Sequence, residues 1–381
     1  MNLKLFIAGL AGITLSGAAF AQAGGSAAAA GAANATKGPE MSSGFGKDAN
    51  FDRTLAQQHG GMYFSGKVAV DGGTLPWDPI PVIVDCSGVV KYNTRTDAKG
   101  SFAIQDSGRI RTSSELVPQA GAPKQLTAAD LIGCQVKASL AGFRSSAITI
   151  ANGNLSDDPN IGTITLHLDE HALGYGVSAT TAAAPPDALK KFEKARSEAM
   201  NNNPDGAQHD LQKAVQIDPK FAEAWYQLGK LQQQSKPEDA LASFEKAIAA
   251  DPQFVSPYQP MAELAASQKK WQEAADATDS YLKLDPKGTA PIWYLNAVGK
   301  FNTGNKDAAE ASARKALAMD PRHTQVQNTE PFLAIILASK GELEECLDHL
   351  RNSLTYIPSG PSADAIKQNI AKVEQALVSA K

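Results

Sequence analysis

Histidine occurs only 6 times and cysteine only 3 times in this 381-residue sequence, and aromatic residues make up just 7%. That scarcity leaves few ligands for a metal. CxxC and His-Glu-x-x-His are both missing, and His167 and His171, four apart at a predicted strand end, have no second ligand pair near them in sequence. No Gly-rich phosphate loop and no Gly-x-Ser-x-Gly turn occurs. The sequence therefore offers no constellation for an enzyme, and no cofactor or metal is expected. A net charge of −4, with no basic run, argues against nucleic acid as a partner. Beyond the N-terminus there is no apolar stretch of the roughly 20 residues that a membrane helix needs, so the mature chain is expected to lack one.

The one marked apolar run, Leu5 to Leu15, follows Lys4 and precedes the small-x-small sites Ala19-Phe20-Ala21 and Ala21-Gln22-Ala23. This pattern predicts a signal peptide over residues 1–23 and an exported protein, periplasmic or extracellular. Residues 24–58 are rich in Ala, Gly and Ser without a sustained apolar period. Such a segment buries too little surface to offset its ordering entropy and reads as a flexible tether.

Over residues 59–175 the composition shifts to Val, Ile, Thr and Gly, with turn signals about every ten residues. Strands are predicted at Met62–Val70, Val82–Cys86, Val89–Thr96, Ser101–Ile104, Cys134–Leu140, Ala147–Ile150 and Gly162–Leu168. Asp71-Gly72-Gly73, Asp97-Ala98-Lys99-Gly100 and Ala141-Gly142 read as turns that use glycine's tolerance of positive φ. The insert Arg109 to Leu131 reads as a surface loop, and Asp157-Asp158-Pro159 as a solvated turn. Short, regularly spaced strands indicate a β-sandwich. Cys86 ends one predicted strand and Cys134 opens another, so the two either meet across the sandwich as a disulfide or stay as buried thiols. An oxidising compartment favours the bond, which would close about 47 intervening residues and add about 3–4 kcal/mol.

Three stretches of this region, Ser65-Gly66-Lys67-Val68, Pro81-Val82-Ile83-Val84 and Thr96-Asp97-Ala98-Lys99-Gly100-Ser101-Phe102, followed by Ala141-Gly142-Phe143, resemble the carboxypeptidase regulatory-like (transthyretin-like) domain. The resemblance covers about a third of the chain. It implies a seven-stranded prealbumin-like sandwich without catalytic residues.

Residues 188–360 repeat themselves. The quartets Ala207/Leu211/Ala214/Pro219 and Ala240/Phe244/Ala247/Pro252 recur more loosely as Ala274/Thr278/Tyr281/Pro286, Ala309/Ala313/Ala316/Pro321 and Cys346/Leu350/Ser353/Pro358, and the prolines are spaced by 33, 34, 35 and 37 residues. Small residues seven apart share a helical face onto which a neighbour can pack, and proline stops the helix. An apolar-periodic segment precedes each quartet, as in Ala224-Trp225-Tyr226-Gln227-Leu228-Gly229. Each unit thus reads as two antiparallel helices, stacked because none can bury its apolar side alone. The pattern of an aromatic, Leu-Gly or Leu-Ala, then Ala, Phe, Ala and Pro resembles the tetratricopeptide repeat over about half the chain. The third copy departs from it with Thr278 and Tyr281, and the fifth with Cys346. The pairing of the two domains resembles exported bacterial proteins.

Residues 176–187, with Pro185-Pro186, read as a linker, and residues 361–381 as an amphipathic capping helix with Ile366, Ile370, Val373 and Leu377 on one face. The expected fold is therefore all-β plus all-α: a β-sandwich followed by an α-helical solenoid.

The repeat resemblance implies a concave groove lined by the first helix of each unit. It places there Tyr226, Lys230, Gln259, Glu263, Tyr294, Val298, Phe301 and Ile335, with Phe192, Arg196, Glu223, Gln233 and Pro331 at further groove places. Its first part is mixed polar and its later part apolar and aromatic, and an apolar groove of that kind suits an extended or helical peptide. Alternatively, Tyr294, Val298, Phe301 and Ile335 pack against neighbouring units. Trp225, Trp271 and Trp293 read as core. The function expected is protein–protein interaction in the cell envelope. The rival readings are a self-associating structural component and a glycan- or surface-binding sandwich.

Overall fold

A computed structural model describes residues 62–71, 73, 75–106, 128–151, 159–321, 323 and 325–379. The expected signal peptide and tether, most of the 109–131 insert, and Asp157-Asp158 lie outside the described residues. The chain divides into a β unit that ends at Leu168 and a helical unit from Asp169, the latter also taking Leu140–Phe143.

Among the described residues the β unit has eight strands: β1 (Met62–Val70), β2 (Pro81–Cys86), β3 (Val89–Arg95), β4 (Ser101–Asp106), β5 (Gln135–Ala138), β6 (Phe143–Ser145), β7 (Ala147–Thr149) and β8 (Asn160–Leu168). They form two four-stranded sheets, ordered β4-β1-β8-β6 and β3-β2-β5-β7. β1 and β8 run parallel, whereas β1–β4, β2–β3, β2–β5 and β5–β7 are antiparallel. Alternate residues point inward, as the period of two requires: Val82 and Val84 on β2, Phe102 and Ile104 on β4, Val136 and Ala138 on β5.

The expected count of seven strands is corrected to eight. The segment 143–149 changes sheets at Ser146, so an unpredicted short strand, β6, precedes the predicted one, found as β7. The two serine hydroxyls hold this corner: Ser145 Oγ accepts from the Ala138 amide on β5 and Ser146 Oγ from the Thr165 amide on β8. Gly66 sits at the register shift between β1 and β8, where a Cβ would lie 2.7 Å from the Phe102 ring and 2.8 Å from the Gly162 carbonyl. No larger residue fits without moving the backbone.

Cys86 and Cys134 form a disulfide, but not across the sandwich. β2 and β5 are neighbours in one sheet with Asp85 opposite Gln135, which sets the two cysteines side by side at the ladder's end. The sequence separation of 48 corresponds to about 4 kcal/mol of loop-closure stabilisation.

Among the described residues the helical unit opens with a single turn, α1 (Thr180–Ala183). Five antiparallel pairs follow: α2 (Pro186–Met200) with α3 (Pro204–Ile217), α4 (Ala222–Gln232) with α5 (Pro237–Ala250), α6 (Tyr258–Ser267) with α7 (Trp271–Leu284), α8 (Ala290–Asn302) with α9 (Lys306–Met319), and α10 (Thr329–Lys340) with α11 (Leu343–Tyr356). The last helix is α12 (Pro361–Ser379). Each second helix ends two residues before its proline, as the missing amide demands. Pro186, Pro204 and Pro237 open helices at the first positions, where no amide partner is lost. Asn203, Thr289 and Asn305 cap the starts of α3, α8 and α9 with side-chain oxygens.

The quartet residues are buried as their spacing predicts: Ala207, Ala214, Ala240, Ala247, Ala309, Ala316 and Cys346 are all fully buried. Gly229 shows why small residues are needed, since a Cβ there would stand 2.5 Å from the Phe244 ring. Thr278, which breaks the repeat pattern, acquires a reason. Its hydroxyl accepts from Asn296 Nδ2 on α8 at 2.9 Å, the same amide nitrogen reaches Asp279, and Asn296 Oδ1 accepts from Ser312 on α9 at 2.7 Å. A buried polar network thus replaces apolar contact between the third and fourth pairs. Ile366 and Val373 of α12 are buried, with Ile370 and Leu377 packed on the same core, so the helix closes the end of the stack.

The expected linker is instead a strap fixed to the helical unit. The Tyr175 amide donates to the Gln253 carbonyl and the Val255 amide to the Tyr175 carbonyl, a short parallel bridge onto the α5–α6 loop. Ser178 Oγ and the Ala179 amide both donate to Asp251 Oδ2, and the Ala222 amide donates to Thr180 Oγ1. Backbone partners of this kind cannot be read from composition, which is why Ala- and Pro-rich sequence misled.

Candidate functional site

The first helices of the pairs present two different surfaces. On α4, residues 223, 226, 227 and 230 recur at three- and four-residue spacing and so share a face, continued by Gln233 at the helix end. Gln227 donates to Glu223 at 3.0 Å, and both are buried. Lys230 sits 5.4 Å from the centre of the Tyr226 ring, within cation–π range. Tyr226 itself is buried, in contact range of Phe244 and Phe254, so its ring is the wall behind the lysine.

On α6, one turn separates Gln259 from Glu263, and Gln259 Nε2 donates to the carboxylate at 3.0 Å. Gln233 bonds the same carboxylate from α4, so the two helices share one polar cluster. Burial pushes the Glu263 carboxyl above the ordinary range, opposed by the Gln259 and Gln233 hydrogen bonds and by the charge of Lys230. Lys230, Gln233, Gln259 and Glu263 are all partly exposed. The arrangement offers amide donors and acceptors, a carboxylate and an ammonium to one ligand. It contains no nucleophile with an adjacent base, and among the described residues no three His, Cys, Asp or Glu are placed to hold a metal.

The apolar positions of α8 and α10 are a different matter. Tyr294 is 5% exposed and Val298 fully buried, in one cluster with Phe332, Leu333 and Leu337. Phe301 and Ile335 are partly buried against that cluster, with the Tyr294 and Phe301 rings 5.7 and 5.6 Å from Phe332 and edge-on to it. As groove-lining residues Tyr294 and Val298 are corrected: their side chains fill the space between successive pairs, and burial pushes the Tyr294 hydroxyl pKa upward. Phe192 and Pro331 are buried likewise, Phe192 4.9 Å from Phe221.

Trp225 and Trp293 are structural but at the margin of the core. Each indole N–H donates at 2.9 Å to a carbonyl of the preceding loop, Pro219 and Lys287 respectively. Sequence reasoning had missed Gln227, although its position four residues after Glu223 is the signal. His167 pairs with Asp71 on the β unit at 2.9 Å, both exposed.

A family model of the tetratricopeptide repeat matches residues 222–254 and 290–323. The helical unit carries tetratricopeptide repeats. The two matched stretches are the α4/α5 and α8/α9 repeats, those with the loop-bonding tryptophans. No curated protein matches the chain. Among solved structures, MamA from Desulfovibrio magneticus RS-1 is 15% identical, with a TM-score of 0.41 over 46% of this chain and 98% of its own. YrrB, described as a TPR protein with an unusual peptide-binding site, is 19% identical, with a TM-score of 0.43 over 48% of this chain and 92% of its own. A thermophilic TPR protein of Thermus thermophilus is 19% identical, with a TM-score of 0.33 over 49% of this chain and 98% of its own. At this level they stand as likenesses and carry no argument. Among the described residues no helix is long and apolar enough to cross a membrane.

Proposed function

We propose that this chain is an exported, non-catalytic interaction protein that binds an extended peptide segment over the polar face of α4 and α6. The observation that carries this reading is the cluster of Lys230, Gln233, Gln259 and Glu263. These side chains are partly exposed and joined across two successive first helices, whereas the matching positions of α8 and α10 are filled by the protein's own core. Side-chain amides match the alternating donors and acceptors of an extended main chain, and the paired charges add polarity and register. Export rests on the N-terminal pattern and on the Cys86–Cys134 disulfide, a bond that persists in oxidising compartments. The β unit, on this reading, is the carboxypeptidase regulatory-like domain that its sequence resembles.

The test is selection of random peptides on the full chain, followed by calorimetric titration of a recovered peptide. The triple variant Lys230→Ala, Gln259→Ala, Glu263→Ala, with its helical spectrum intact, should bind at least about tenfold more weakly, the loss of one or two good hydrogen bonds to charged groups. Unchanged affinity in the variant would remove this face as the binding site.

A further inference from the structure

The junction between the fourth and fifth repeats holds a titratable cluster that the binding face does not use. His323 lies in the α9–α10 loop, 3% exposed, with a backbone φ of 53° that places it in the left-handed region. Its ring stacks edge-on against Tyr356 of α11, centres 4.2 Å apart, and the Tyr356 hydroxyl donates back to the Pro321 carbonyl. Neither ring nitrogen of His323 makes a well-formed hydrogen bond to the protein.

The carboxylates around that ring are already engaged. Glu330 of α10 lies 3.8 Å from His323 Nε2, but its other oxygen is hydrogen-bonded to His349 Nδ1 of α11. Asp320 of the loop accepts the Gln325 and Val326 amides at 2.7 and 2.9 Å. Glu345 of α11 lies 3.7 Å from His349 Nε2 and pairs with Arg314 of α9. A neutral imidazole fits this site. A second proton there meets only the Glu330 carboxylate, 3.8 Å away, and the Val326 backbone.

We infer that the α9–α10 junction is a pH-sensitive latch: acidification charges His323 inside the stack and loosens α10–α12 ahead of the other repeats. Burial depresses the His323 value below 6.5, outweighing the pull of Glu330, Asp320 and the Val326 backbone toward the charged form. A group whose folded value is depressed in this way binds protons more readily when unfolded. Its stabilising contribution is therefore whole above pH 6.5 and is lost as pH falls from 6.5 toward the folded value. The structure supplies its own reporter, because Cys346, the free cysteine of α11, is fully buried at this end of the stack.

The experiment measures the rate at which a pyridyl disulfide labels Cys346 in the full chain between pH 7.5 and 5.5, for the native protein and His323→Asn. Asparagine tolerates the left-handed backbone and does not titrate. The ratio of native to variant rate should rise on acidification by about threefold to tenfold, the range that one depressed histidine supplies. A ratio that stays constant with pH overturns the latch. Should His323→Asn fail to fold, the native chain decides by itself. Its His323 proton resonance is expected to titrate below 6.5, with amide exchange of α10–α12 rising in step. Titration at or above 6.5, or exchange that does not follow it, overturns the proposal.

Discussion

The α4–α6 face and the α8–α10 face occupy the same place in successive repeats, yet one is left open and the other is filled. On α4 and α6 the inward positions carry Lys230, Gln259 and Glu263, whose polar ends meet each other and solvent. On α8 and α10 they carry Tyr294, Val298, Phe301 and Ile335, which close over Phe332. Repeat geometry fixes where a side chain starts, and its chemistry decides whether it serves the core or a partner. Apolar groove positions are the ones most readily absorbed by the protein's own packing.

The contrast makes its largest prediction on the closed side. Phe332→Ala, which removes the ring between Tyr294 and Phe301, should cost about 3–5 kcal/mol in a denaturant melt. If it costs no more than Lys230→Ala, expected to be under about 1 kcal/mol as a partly exposed site, the distinction between the faces fails. Next comes the polar seam between the third and fourth repeats. Asn296→Ala strands the Ser312 hydroxyl, while Thr278 keeps its bonds to the Ala274 and Ala275 carbonyls, and should cost about 1–3 kcal/mol.

A smaller effect is expected at the strap. Asp251→Ala removes the acceptor for Ser178 and Ala179 and should expose residues 173–180 to limited proteolysis, with about 1–2 kcal/mol lost. Resistance equal to the native protein would mean that the backbone bridge at Tyr175 suffices. The smallest effect is the pH response of Glu263. Its folded value lies above the ordinary 4.5, so the folded state holds a proton more tightly and loses relative stability as pH rises from 4.5 through the folded value. Glu263→Gln should flatten that dependence and leave stability at pH 7 equal or higher by less than about 1 kcal/mol. A dependence that survives the substitution would place the titration elsewhere.

The periodic features of the fold were legible in the sequence. The prolines and small residues located every helix pair, because both act through the local backbone and a repeated face. Composition and turn spacing located seven of the eight strands, and β6, three residues between the Ala141-Gly142 turn and the sheet change at Ser146, escaped because no turn signal separates it from β7. The site was half legible. Lys230, Gln259 and Glu263 followed from repeat register, but burial of Tyr294 and Val298 depends on Phe332, nearly forty residues on. The strap and the His323 cluster were invisible for the same reason. Each is made of contacts between segments whose separation no local pattern encodes.

The central claim is that the protein receives its partner on the polar first helices and not on the apolar ones. Hydrogen–deuterium exchange of the full chain with and without a selected peptide tests it most directly. The account predicts slowed exchange confined to 222–233 and 258–267, with 290–302 and 329–340 unchanged. Protection of 290–302 and 329–340 in their place would mean that Tyr294, Val298, Phe301 and Ile335 open to admit the ligand, and would contradict it.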